Sequence, residues 1–327
     1  MAKGDLVQCE LCPNGCVLDE GQKGNCRARS NKGGKVISLV YGKPCAVHVD
    51  PIEKKPLYHF LPASSAFSIG TAGCNLHCKY CQNWDISQSD PEETDNIDLP
   101  PGELARRAAA YNCRSIAYTY NDPVIYLEYV LDTAKIGREA GIKSVFITAG
   151  YINPKPLDDL CSAVDAIKVD FKGITEEFYN KVSFGRLRPV LDTIKAIKER
   201  KVWMELVNLI VPTLNDKKDD LARLIDWTVE NVGADVPLHF SKFWPQYQLK
   251  NLPPTPEETL DAAWKMAKKR GVHYAYVGNI PSHDGNNTYC PKCGKLLIKR
   301  VGYDVLENNV ANGRCASCNE AIPGVWQ

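Results

Sequence analysis

Three cysteines stand at Cys-x3-Cys-x2-Cys spacing in Gly73-Cys74-Asn75-Leu76-His77-Cys78-Lys79-Tyr80-Cys81, directly after the apolar run Ala66-Phe67-Ser68-Ile69-Gly70. Three thiolates hold three corners of a cubane [4Fe–4S] cluster, whereas a cluster that only carries electrons normally has four cysteine ligands. A three-cysteine loop therefore leaves one iron free for a ligand that is not protein. The alternatives are a structural zinc site or buried thiols without a metal. Structural zinc prefers four protein ligands, and no fourth cysteine or ligand-spaced histidine follows Cys81. His77 lies between two of the cysteines and is expected to point elsewhere.

Two further cysteine groups flank this loop. Cys9, Cys12, Cys16 and Cys26 offer four thiolates within 18 residues. That count suits zinc or an auxiliary [4Fe–4S] cluster, and the frequency of compact four-thiolate zinc sites tips the expectation slightly to zinc. Cys290-Pro291-Lys292-Cys293 and Cys315-Ala316-Ser317-Cys318 are separated by 21 residues, slightly more than in the usual ribbon. Gly294 and Asn319 follow the two pairs, as a tight ligand turn favours. A structural zinc would let this short segment fold without much core; a rubredoxin-like iron or a second Fe–S cluster is the alternative. Of the fourteen cysteines, Cys45, Cys113 and Cys161 remain as singletons in apolar or helical surroundings, where buried thiols are expected.

Polar residues stand out elsewhere. Tyr120-Asn121-Asp122-Pro123 reads as a helix start, with an Asx residue before a proline at the first helical position. Asp170 and Lys172 place two charges on one side of a strand end, with Phe171 on the other; on a surface such a pair is worth little. His239 is a lone polar residue in Pro237-Leu238-His239-Phe240-Ser241, the usual setting of a satisfied core histidine. Glu205 and Asn208 are weaker candidates, and His59, His273 and His283 carry no signal.

The elements that must position these groups alternate in type. Candidate strands are Ala66–Thr71, Ser115–Tyr120, Lys143–Thr148, Ala166–Phe171, Val202–Val211, Val236–Ser241 and Val272–Val277. Between them lie candidate helices at Glu103–Tyr111, Val124–Ala140, Pro156–Val164, Pro189–Arg200, Asp219–Val232 and Pro256–Arg270. Strands spaced by helices of this length imply βα units and a parallel sheet. Six or seven units point to an α/β fold, an incomplete (βα)6-type barrel. Chemistry in such barrels sits at the C-terminal strand ends, and the cysteine loop, Asn121-Asp122, Thr148-Ala149-Gly150, Asp170 and Lys172 all fall at or near such ends. Residues 1–65 are expected to form a four-thiolate metal-binding segment, 66–283 the barrel and 284–327 a zinc-ribbon-like module. The 327 residues carry a formal net charge of +1, so nucleic acid and anionic membranes are not indicated as partners. The Cys-rich start lacks an apolar signal core, and so many thiols in a reducing compartment read as metal ligands; a cytoplasmic protein is expected.

The cysteine loop, with Tyr80 before its third cysteine, resembles the radical S-adenosylmethionine (SAM) superfamily. Cys9-Glu10-Leu11-Cys12-Pro13-Asn14-Gly15-Cys16, Asp50-Pro51-Ile52-Glu53-Lys54-Lys55-Pro56-Leu57-Tyr58-His59-Phe60 and Cys81-Gln82-Asn83-Trp84-Asp85-Ile86-Ser87 resemble, more narrowly, the radical SAM protein of the AmmeMemoRadiSam system. So do Val277-Gly278-Asn279-Ile280-Pro281 and Ile322-Pro323-Gly324-Val325-Trp326. That group is related to the pyruvate formate-lyase activating enzymes, and the likeness runs along nearly the whole chain. It implies that SAM chelates the open iron and that one electron cleaves it to methionine and a 5′-deoxyadenosyl radical. The radical would abstract hydrogen from an unidentified protein, small molecule or RNA, and a glycyl-radical activase is one option. Cys74, Cys78 and Cys81 would carry the catalytic cluster. The resemblance further implies Tyr80 near the adenine, or as an aromatic plug, Asn121 and Asp122 at the SAM amino group, and Asp170, Lys172 and His239 as further SAM contacts. It implies a low-potential electron donor, and Memo-like and AMMECR-like partner proteins. Asp122 stands where Glu is usual, and Ala149 where relatives often have Asn. The competing classes are a non-catalytic Fe–S carrier or scaffold, and a zinc-ribbon nucleic-acid adaptor that the near-neutral charge disfavours.

Overall fold

The computed structural model describes residues 6–327; residues 1–5, at the head of the expected 1–65 segment, lie outside the described residues. Eight strands form one sheet: β1 (Ala46–Pro51), β2 (Ser65–Gly70), β3 (Ser115–Tyr118), β4 (Lys143–Thr148), β5 (Ala166–Asp170), β6 (Trp203–Ile210), β7 (Leu238–Lys242) and β8 (Ala275–Gly278). They lie side by side in chain order, with β2 to β8 parallel and β1 antiparallel to β2. The ends, β1 and β8, do not pair, so the barrel stays incomplete. Each step from β2 to β8 passes through one main helix: α1 (Pro101–Ala110), α2 (Leu127–Glu139), α3 (Pro154–Ala163), α4 (Leu187–Glu199), α5 (Lys218–Val232) and α6 (Glu257–Lys269).

All seven expected parallel strands are present, with ends moved by up to three residues. The eighth, β1, lies inside the segment expected to be separate. Its sequence, Ala46-Val47-His48-Val49-Asp50-Pro51, mixes exposed His48 and Val49 with a buried Asp50 and a proline. An antiparallel edge strand tolerates that composition, but it gives little strand signal. The main sheet therefore draws in residues on the N-terminal side of 65.

Alternation along the strands separates two cores. Phe67, Ile69, Ile116, Phe146 and Ile167 pack outward under the helices. Ala66, Ala117, Val145, Ile147 and Ala166 face inward and pack on Ile52, Leu57, Phe60 and Leu61. The 52–61 segment thus plugs the barrel interior. It is held there by Glu205, which accepts from the backbone N–H groups of Tyr58 (3.0 Å) and His59 (2.8 Å).

The C-terminal module is a three-stranded sheet, Thr288–Tyr289, Leu296–Val301 and Asp304–Asn308, followed by a short pair. It docks on the plug. Arg300 lies 4.2 Å above the Tyr58 ring and donates to the Tyr58 carbonyl at 2.8 Å. His59 Nδ1 is 2.7 Å from the Pro323 carbonyl. Among the described residues no helix is long and apolar enough to cross a membrane.

Candidate functional site

A cavity of ≈ 440 Å³ opens at the C-terminal ends of the strands, within the range of roughly 300–1,000 Å³ typical of small-molecule sites. The three loop cysteines, Cys74, Cys78 and Cys81, line it together. Their loop is tied from three directions. Asn121 Nδ2 donates to the carbonyls of Thr71 (2.8 Å) and Gly73 (2.7 Å). Asn75 Nδ2 donates to the Tyr151 carbonyl at 2.8 Å. A π-helical turn at Tyr179–Ser183 accepts from the backbone of His77 (3.2 Å) and Lys79 (3.0 Å); such turns recur at functional sites. His77 leaves the cavity, with Nδ1 2.6 Å from Gln88 Oε1.

Burial raises the Cys74 and Cys81 thiols above their ordinary value. The Asp122 carboxylate adds to this at Cys74, while Ser87, 3.1 Å from the Cys81 sulfur, opposes it. Bare thiolates are therefore disfavoured here. Coordination to a cationic iron cluster removes that penalty, because a metal deprotonates its thiol ligands outright. Three soft donors on a loop rigidly held from outside fit a cubane cluster with one open corner.

Across the cavity, the end of β5 carries Lys168, Asp170 and Lys172. Lys168 Nζ bonds Asp170 Oδ1, and Lys172 Nζ lies 3.8 Å from Oδ2. Partial burial pushes Asp170 upward, but the two ammonium groups outweigh it and hold the carboxyl below its usual range. Lys172 also sits 5.7 Å over the Tyr80 ring, which stacks on Phe178. Phe171 turns the other way, onto Trp227. Lys168 was absent from the sequence candidates, although strand alternation puts residue i−2 on the same face as Asp170.

Asp122 lines the cavity but is already engaged. It accepts from Val124 N (3.2 Å), Ala149 N (2.9 Å) and Thr148 Oγ1 (2.9 Å), capping the turn that begins at Pro123 and bracing the end of β4. The helix-start reading is thus realised. Tyr120, just before, takes the left-handed backbone conformation (φ 70°), an uncommon state for a non-glycine residue. It is held by Asn83, which donates to its carbonyl at 2.7 Å, and by its own hydroxyl, 2.6 Å from Asp50 Oδ2.

His239 is not among the cavity residues. Its Nε2 meets Glu205 Oε2 at 2.7 Å, and both side chains are fully buried. Burial keeps the imidazole pKa low while Glu205 opposes this. The pair lies deeper in the barrel, against Tyr58 and Tyr276. Asn208 donates to the Phe171 carbonyl at 2.8 Å, an internal brace. The lone-histidine signal marked a core group, as strand sequence alone has no way to say how deep a position lies. The cavity also takes in Lys54, Lys55 and Tyr58, from a segment that carried the family resemblance but no site expectation, and Tyr303 from the C-terminal module.

At the C-terminus the sulfurs of Cys290, Cys293, Cys315 and Cys318 all lie within 4.8 Å of one another. Cys290–Cys318 is 3.6 Å and Cys293–Cys315 3.8 Å. Gly294 and Asn319 take positive φ (70° and 61°) in the ligand turns. The four can hold one metal ion.

A family model described as the radical SAM superfamily matches residues 68–227. An uncharacterized protein of Methanocaldococcus jannaschii is 45% identical over 318 residues, 97% of this chain and 95% of its own length. The pyruvate formate-lyase-activating enzyme of Clostridium pasteurianum is 26% identical over 161 residues, 46% of this chain and 64% of that protein. The solved structure of a radical SAM methyltransferase from Sphaerobacter thermophilus matches with a TM-score of 0.53 at 14% identity, over 72% of this chain and 71% of that one. It shares the fold.

Proposed function

Because this chain belongs to the radical SAM superfamily and is an enzyme related to the pyruvate formate-lyase activating enzymes, we propose that it uses SAM to abstract hydrogen from a substrate held in the ≈ 440 Å³ cavity. Bound at Cys74, Cys78 and Cys81, a [4Fe–4S] cluster supplies the electron that cleaves SAM to methionine and a 5′-deoxyadenosyl radical. The observation that carries the reading is the three-thiol loop facing Lys168, Asp170 and Lys172 across one cavity. Asp170 is the carboxylate left partly open there, at 36% side-chain exposure, and would receive the SAM ammonium. Lys172 would meet its carboxylate. Tyr80, with Lys172 over its face, would bound the adenine side. Asn121 and Asp122 act one step back, by holding the loop and the β4 end in position.

The C-terminal module, 284–327, would hold zinc. Its sulfur separations of 3.6 and 3.8 Å match the about 3.8 Å that tetrahedral Zn–S bonds of ~2.3 Å require. Memo-like and AMMECR-like proteins are the partners we infer, with a low-potential electron donor and a cytoplasmic setting in which fourteen unpaired thiols persist.

The test is anaerobic reconstitution, reduction with dithionite and assay of 5′-deoxyadenosine. We expect cleavage in the wild type and none in Cys78→Ala. A fully loaded central cluster that leaves SAM intact would overturn the reading. EPR of a reaction containing the Memo-like partner would show the partner radical that an activase requires, and mass spectrometry of the same reaction would show the new covalent product of a modifying enzyme.

A further inference from the structure

We infer that Cys9, Cys12, Cys16 and Cys26 hold a second [4Fe–4S] cluster, with four protein ligands, packed against the catalytic loop. Two four-thiolate groups are present in one chain, and the fold treats them differently. The C-terminal sulfurs lie within 4.8 Å of one another, as ligands of a single tetrahedral ion must. Among the described residues, neither the N-terminal four nor the Cys74/Cys78/Cys81 triad forms so tight a group. The N-terminal four instead line one small pocket together, with Leu11, Leu18 and Arg29 in its wall. A cubane separates its ligand sulfurs further than a zinc ion does, because each sulfur binds a different corner iron. Among the described residues, the N-terminal group thus shares with the Cys74/Cys78/Cys81 loop the lack of the tight one-ion arrangement seen at the C-terminus.

The walls suit such a cluster. Leu11, Leu18, Val124 and Ile125 supply apolar surface. Asn25 donates its backbone N–H toward Cys16 Sγ at 3.4 Å, and hydrogen bonds to sulfur tune cluster potential. Arg29 stands at the same cavity, its guanidinium fixed by Glu128 and the Ile125 carbonyl (3.2 Å). A cation beside the site favours an assembly whose ligands bring four negative charges.

The group is also joined to the catalytic loop. A Cβ on Gly73 would lie 2.2 Å from the Cys26 carbonyl oxygen, so the two backbones touch immediately before Cys74. Asn14, between Cys12 and Cys16, donates to the Asn75 carbonyl at 2.8 Å. Val124 and Ile125 in the cavity wall follow Asn121 and Asp122 with only Pro123 between. The two clusters would therefore lie on adjacent sides of one loop.

The decisive measurement is iron, sulfide and zinc content of the anaerobically reconstituted full chain, with Mössbauer spectroscopy. We expect about eight iron and eight sulfide per chain, as two cubanes require, with zinc confined to the C-terminal module. A Cys74→Ala/Cys78→Ala/Cys81→Ala variant should keep half of the iron in a [4Fe–4S] spectrum that SAM does not alter. Two zinc ions per chain, or wild-type iron sufficient for one cubane only, would overturn the inference. The wild-type count stands even if the triple variant fails to fold. A wild type with two clusters and no response to SAM would count against the proposed function and leave the second cluster in place.

Discussion

Asn121 Nδ2 lies 2.7 Å from the Gly73 carbonyl oxygen, so the loop after β3 holds the residue that precedes Cys74. The same amide reaches the Thr71 carbonyl at 2.8 Å, and Asn121 is buried. Removing one partner of a buried hydrogen bond costs about 1–3 kcal/mol for the group left unsatisfied. Asn121→Ala should therefore lower the melting temperature and the iron retained at the central loop. Iron and sulfide analysis after reconstitution checks this; full retention of the cluster would remove the positioning role.

Gly73 itself has φ of 85° and no room for a side chain, with the Cys26 carbonyl 2.2 Å from the place a Cβ would take. Gly73→Ala must shift backbone on one side or the other. A destabilisation of at least about 2 kcal/mol is expected, in the range of backbone-strain mutants, together with loss of iron from both cysteine groups. Denaturant titration and metal analysis of the variant provide the check.

Asp170 faces two ammonium groups, Lys168 and Lys172. Asp170→Asn leaves the cavity net positive and weakens an acceptor for a cationic ligand. A hydrogen bond to a charged group is worth about 1.5–3 kcal/mol, or roughly 10- to 100-fold in affinity. Calorimetric titration with SAM should show that loss while iron content stays at the wild-type value. An unchanged affinity would assign Asp170 to the rim pair alone.

Burial lowers the His59 pKa from 6.5 to about 4, against the upward pull of Glu205. The unfolded chain binds the proton first on acidification. The stability this group contributes is therefore complete above pH 6.5 and is lost as pH falls through about 4. Its size is of the order of 3 kcal/mol. Unfolding free energies across that range should fall less steeply in His59→Gln than in the wild type, and equal slopes would refute the assignment.

The C-terminal module rests on a small cluster in which Leu297, Ile298 and Ile322 meet Tyr58, Tyr274 and Tyr276. With so little core, metal removal should loosen it. Chelation, or Cys293→Ser, is expected to expose residues 284–327 to protease while the barrel resists. Tyr303 lines the cavity, so SAM binding measured on the same sample reports whether the module shapes that wall.

The parts legible in the sequence were those encoded locally. Cysteine spacing singled out the loop that lines the cavity, and runs such as Lys143–Thr148 and helices such as Leu127–Glu139 carry their period within a few residues. The proline after Asp122 marked a helix start that the structure contains. Depth, partnership and separation are set by distant residues, and there the sequence was silent or misleading. His239 is paired with Glu205 through strand adjacency, and Lys168 joins Asp170 only once β5 is known to face the cavity. Tyr58 and Tyr303 reach the site from segments outside the expected barrel, where no site residue was expected. Both four-thiolate groups leaned to zinc in the sequence, though their spacings differ. The cysteine loop, with its Cys-x3-Cys-x2-Cys spacing, was determined by sequence alone; which groups share its cavity was decided by tertiary packing, because spacing along a chain does not set distance across a cavity.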